Sequence, residues 1–262
     1  MSMRTDLKFQ NGKLSANVES NNADAREALP PIDPGDRLGS DQWGEALKKQ
    51  AGDLADDPAL NTAARAHERL VKGFQSVAQQ RDTQDPSVPQ LQHLRQVETN
   101  FNSLVSMASK QTSAAREDVA KRVKDVKAEF EQGIGFNDKD ASEIRGMLRN
   151  MDQDQRSEFI QQAVENGDGN VMAAVFRSHP SLSGLSQDAV NARYRQAMRK
   201  HAPKAEKLLD SLEQADSLLF DSFNDLLTKG DQLTAKEIRE KKEQESQAAK
   251  QAADAVTADW TA

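Results

Sequence analysis

PQLQHLRQVETNFNSLVSMASKQTSAAREDVAKRVKDVKAEFE, residues 89–131, decides the fold. After Pro89 the stretch contains neither proline nor glycine. Phe101, Val105, Ala108, Thr112, Ala115, Val119 and Val126 follow in steps of four and three, with Arg122 bridging one interval and Phe130 closing the row. That spacing gathers the apolar residues on one face of a helix and leaves Glu, Lys, Gln and Ser on the rest. At about 1.5 Å per residue such a helix is about 60 Å long, more than a compact core needs. The expectation is an all-α fold: an elongated helical bundle or hairpin built on one helix of about 40 residues, with flexible polar termini.

The totals agree with long, thin helices. Of 262 residues 36% are hydrophobic, 29% charged and only 5% aromatic, so each helix has a narrow apolar stripe to bury. Mean hydropathy is −0.80 and the pI is near 5.3. A net charge of −7 speaks against a general nucleic-acid coat. The absence of cysteine excludes disulfides, thiolate metal sites and a cysteine nucleophile. Residues 1–25 lack the apolar core of a signal peptide, and no run approaches the roughly 20 apolar residues of a membrane span. A cytoplasmic product, or one assembled from the cytoplasm, is expected.

Four segments follow in chain order. Residues 1–40 read as an extended polar arm ending in the turn-rich Pro30-Pro31-Ile32-Asp33-Pro34-Gly35, and no stretch of the chain reads as a convincing strand. Residues 41–135 form a long-helix hairpin or bundle. Helices over Gln42–Leu54 and Pro58–Gln80 fold back along the spine, and Gly133 and Gly135 end it. Residues 136–230 hold short helices and then Lys204–Lys229, whose Leu208, Leu209, Leu212, Ala215, Leu218, Leu219, Phe223, Leu226 and Leu227 make the richest apolar face. Residues 231–262 are a polar helical tail in which Trp260 is the one large anchor for a partner surface.

Candidate chemistry is sparse. His67, His93, His179 and His201 fall on separate elements without the i+3 or i+4 partner of a helical metal site. The acidic clusters Asp138/Asp140, Asp152/Asp154 and Asn166–Asn170 lack glycine at the sixth and glutamate at the twelfth position of a calcium loop, and read as caps and turns. There is no phosphate-binding glycine loop and no Gly-x-Ser-x-Gly. No catalytic, metal or cofactor-binding residue is expected. Arg193, Arg195, Arg199 and Lys200 head a basic run, through Lys207, that offers phosphate contacts beside Tyr194. Phe101, Val105, Val119, Val126, Leu208, Leu212, Leu219 and Phe223 are the residues expected to pack helices together or to join copies.

NVMAAVFRSHPSLSGLSQDAVNARYRQAMRKHAP, residues 170–203, resembles a helix, Pro-x-Leu-Ser-Gly-Leu-Ser, helix unit of uncharacterised helical proteins encoded by tailed bacteriophages and prophages. The resemblance covers about an eighth of the chain and carries over no catalytic residue. It implies phage origin more than a mechanism. Long helices whose narrow stripes complete their burial against copies or partners, with polar arms at both ends, then point to a non-enzymatic virion component, internal (ejected with the DNA) or accessory to the portal, assembled in the host cytoplasm and bound to other virion proteins or to itself through coiled-coil-like contacts. A capsid scaffold is the alternative within assembly, and a nucleic-acid-binding regulator using Arg193–Lys207 the alternative outside it. Tyr194–His201 is also similar to the second helix of a J-domain co-chaperone, but His201-Ala202-Pro203 stands where that family needs His-Pro-Asp.

Overall fold

A computed structural model of the chain describes residues 7–10, 13–16, 26–40 and 42–258. The fold is all-α. Its helices are α1 (Gly35–Gly39), α2 (Gln42–Ala51), α3 (Pro58–Asp82), α4 (Gln90–Gly133), α5 (Ala141–Asn150), α6 (Gln153–Asn166), α7 (Gly169–Phe176), α8 (Gln187–His201), α9 (Pro203–Thr228), α10 (Gly230–Leu233) and α11 (Lys236–Ala258), with short 3-10 turns at Gly52–Leu54 and Pro180–Leu182. One feature departs from the sequence expectation. Leu7–Gln10 (β1) and Lys13–Ala16 (β2) pair antiparallel, Leu7 opposite Ala16 and Phe9 opposite Leu14.

Helix boundaries follow local chemistry. The Asp57 carboxylate accepts from Ala59 N at 3.0 Å to open α3. Asp152 and Gln155 form a reciprocal capping box at the start of α6, and Gly167 ends that helix at φ 71°. Asp168 caps α7 and Ser186 caps α8. Asp152→Ala should lower stability by about 1 kcal/mol in urea unfolding, since the Gln155 backbone N–H loses its acceptor.

Contacts group into two compact units that are each discontinuous in sequence. One unit comprises Pro34–Gln75 and Ser103–Thr228. Its core joins Ala59, Leu60, Ala63 and Ala66 of α3, Ala115, Val119, Val126 and Phe130 of α4, and Leu208, Leu209, Leu212, Ala215 and Leu219 of α9. A smaller cluster, Leu148, Ile160, Val175 and Val190, holds α5 to α8. At the gap in the α4 stripe Arg122 donates to Asp57 at 2.9 Å and Glu129 at 2.8 Å. The buried stripe runs through Leu104, 8% exposed, while Val105 is only half-buried.

The other unit contains Ser76–Asn102, Lys229–Ala262 and the described part of the first 33 residues. Arg81, 1% exposed, donates to the carbonyl of Pro30 at 2.5 Å and to Asp82 at 2.6 Å. Gln90 exchanges two hydrogen bonds with the backbone of Glu27, at 3.0 and 2.7 Å. The proline-rich segment expected as a loose arm is therefore held to the ends of α3 and α4. α11 is held by Arg239 to Glu98 at 2.7 Å, Glu243 to Arg95 at 2.9 Å and Lys241 to Glu27 at 3.0 Å. Beyond these pairs every residue from 244 to 255 is exposed.

Candidate functional site

Of the residues expected to join helices or copies, Val119, Val126, Leu208, Leu212 and Leu219 sit together in the core of their own unit, between 0% and 6% exposed. Phe101 is buried too, its ring so near Gly230 that an added Cβ there would stand 2.7 Å from Cζ. Those six side chains complete their burial inside the chain. Val105 and Phe223 are half-buried. Trp260 lies outside the described residues.

The basic run does not converge on one face. Arg193 and Arg195 are about 200° apart on α8, so they meet different neighbours. Arg193 donates to Ser157 of α6 at 3.2 Å, to Gln161 and to Gln196 at 2.9 Å. Arg195 donates to Asp210 of α9 at 2.6 Å and to Glu213. Arg199 pairs with Glu206 at 3.2 Å, and Lys200 is exposed. A phosphate would compete with carboxylates already in place, which weakens the attraction that nucleic acid supplies. Duplex retention at low salt, followed by filter binding, should therefore be no stronger for the native chain than for Arg195→Gln.

The densest set of chemistry-bearing side chains lies one helix face away. Phe130 of α4, Phe136 of the following loop, Phe176 of α7 and Tyr194 of α8 form a ring cluster, with edge-to-face contacts of Tyr194 to Phe130 and to Phe176, both at 5.4 Å. Arg177 caps it, its guanidinium 5.4 Å from the Phe136 ring centre. Glu131 is engaged through both oxygens: Oε2 accepts from Arg177 at 2.7 to 2.8 Å, and Oε1 faces the Tyr194 hydroxyl at 3.4 Å. Arg177 also donates to Asp138 at 3.0 Å. Beside the cluster a concavity of about 470 Å³ is lined by Lys127, Gln187, Asn191 and Arg195 among others.

Burial, then the negative charge of Glu131 and its hydrogen bond, push the Tyr194 phenol above its ordinary value of 10.0, so it stays protonated as a donor. Tyr194 is the one tyrosine of the chain, so tyrosinate absorbance reads it alone. Its midpoint should lie above 10.0. The sign follows from linkage: a raised acid contributes stability below the unfolded value that is lost as pH climbs past it, so alkaline unfolding should begin there and be weaker in Tyr194→Phe.

Chemically the cluster orients helices. Arg177 at the end of α7 is matched to Glu131 of α4 and to Asp138, and Tyr194 of α8 faces the same Glu131. Among the described residues no group of three or more His, Asp or Glu is placed to hold a metal ion, and no helix is long and apolar enough to cross a membrane. Comparison with family models, curated proteins and solved structures returns no match to this chain.

Proposed function

We propose that the chain is a non-enzymatic structural or assembly protein of a tailed bacteriophage, a virion component of the internal or portal-proximal kind, acting through helix-helix contacts with copies of itself and other virion proteins. The observation that carries this is how the ionic side chains are used. Arg37 to Asp225, Arg116 to Asp216, Arg122 to Asp57, Arg177 to Glu131 and Arg195 to Asp210 each tie two separate segments of the chain. Charges arranged in this way fix register between helices, as a building element requires. The 44-residue α4 is a long helix of the kind such contacts use, and the exposed end of α11 is a polar helix for a partner to cover. The sequence resemblance at residues 170–203 supplies the phage context.

Peptide mass spectrometry of precursor and mature particles from the encoding phage or prophage tests the proposal. A virion component is present in both. Presence in precursors and loss on maturation would replace it with the scaffold role, and absence from both would end it.

A further inference from the structure

Residues 26–33 supply one acceptor to a buried cation whose edge can take two. Arg81, near the end of α3, is 1% exposed. Its Nη1 donates at 2.6 Å to Asp82, whose side chain is 62% exposed, and its Nη2 donates at 2.5 Å to the carbonyl of Pro30. Nε, which shares an edge with Nη2, is buried and has no acceptor among the described residues. That edge is the one that meets both oxygens of a carboxylate in parallel hydrogen bonds. Here it holds one neutral carbonyl, and a desolvated donor is left over. The segment that brings the carbonyl is held by few contacts. No residue from 26 to 33 is fully buried; Leu29 and Ile32 are half-buried, Pro30 and Pro31 exposed. A segment that buries so little opens at low free energy.

We propose that residues 26–33 are a displaceable strap on a docking seat at the ends of α3 and α4, and that the seat's external occupant is an extended segment of another protein bearing an aspartate or glutamate side chain. The strap itself shows what the seat recognises. The Gln90 amide accepts from the backbone N–H of Glu27 at 3.0 Å and donates to the Glu27 carbonyl at 2.7 Å. That pair reads backbone and not side chain, so it holds any extended segment. Arg81 then meets the chain three residues further on, at Pro30. A carboxylate brought to that point satisfies Nε and Nη2 together, and a charge-assisted pair replaces a neutral one. The remaining ties of the strap include Arg26 to the Asp85 carbonyl and Lys241 to the Glu27 carboxylate, both at 3.0 Å and both at the surface. Because the strap is tethered beside its seat, a segment without the carboxylate fails to displace it, and specificity follows from that threshold.

This names a partner chemistry for the assembly proposal and rests on that proposal only for the partner's being a virion protein. The probe is a fluorescein-labelled, C-amidated peptide of residues 26–33 carrying Pro30→Glu, titrated into the full chain and followed by fluorescence anisotropy. The same peptide with Pro30→Gln is the control. The glutamate peptide should bind about tenfold more tightly than the glutamine peptide. The difference should vanish in the Arg81→Lys chain, which keeps the charge and loses the fork. Pro31→Gly in the chain loosens the strap and should tighten the glutamate peptide several-fold. With that peptide bound to the native chain, hydrogen exchange should speed up at residues 26–33 and stay unchanged in α3 and α4. Equal binding of the two peptides, no binding at millimolar peptide, or binding that leaves residues 26–33 protected would overturn the proposal. These readouts use the native chain, so they decide the matter even where Arg81→Lys folds poorly. Their failure would leave the assembly proposal standing if the chain is still found in particles, and absence from particles would leave the peptide affinity unchanged.

Discussion

Gly169→Ala should destabilise the unit it belongs to by about 1–3 kcal/mol, with Gly169→Val losing more. The reason is a backbone crossing. Gly169 opens α7, and a Cβ there would stand 2.5 Å from the carbonyl oxygen of Gly135 and 2.6 Å from that of Ile134. Those oxygens belong to the turn that leaves α4, so no side-chain rotation relieves the clash. Gly133→Ala, with nothing within 4 Å of its added Cβ, is the control and should be neutral or slightly stabilising through helix propensity. Urea unfolding of the three variants beside the native chain checks this. Equal losses at Gly133 and Gly169 would show that the close approach of α7 to the α4 turn is absent.

Leu212→Ala should cost about 2–5 kcal/mol, a large share of the roughly 5–15 kcal/mol that holds a domain folded. Leu212 is 0% exposed and packs in the cluster shared by α3, α4 and α9, so its loss leaves a cavity bounded by three helices that cannot all close in. Leu182→Ala, at a site 42% exposed, should change stability by less than about 0.5 kcal/mol. Thermal melts read by circular dichroism separate the two. A similar fall for both would mean that the core is misplaced.

The long helix was legible because burial writes a period into the sequence. Even there one side chain shifted: the buried position is Leu104, which packs against α3 where Gly73 leaves room for it, and not Val105. The hairpin was missed although Asn11-Gly12 stands between Leu7-Lys-Phe-Gln10 and Lys13-Leu-Ser-Ala16, the dipeptide and alternation that favour a two-residue turn. The ring cluster left no local trace. Phe130, Phe136, Phe176 and Tyr194 come from four places in the chain, and only the fold brings them together. The basic run shows the opposite problem. Counting charges along α8 finds the arginines but not Asp210, Glu213 and Glu206, which answer them from α9. Among the apolar residues expected to pack helices together or to join copies, most complete their burial within the chain.

The most direct test of the proposed role is a count of infectious units per physical particle for the encoding phage with this gene deleted, with and without the native chain supplied in trans. An assembly or virion protein predicts that the ratio collapses on deletion, or that no complete particles form, and that the native chain restores it. Unchanged titre with particles of normal form would contradict the proposal.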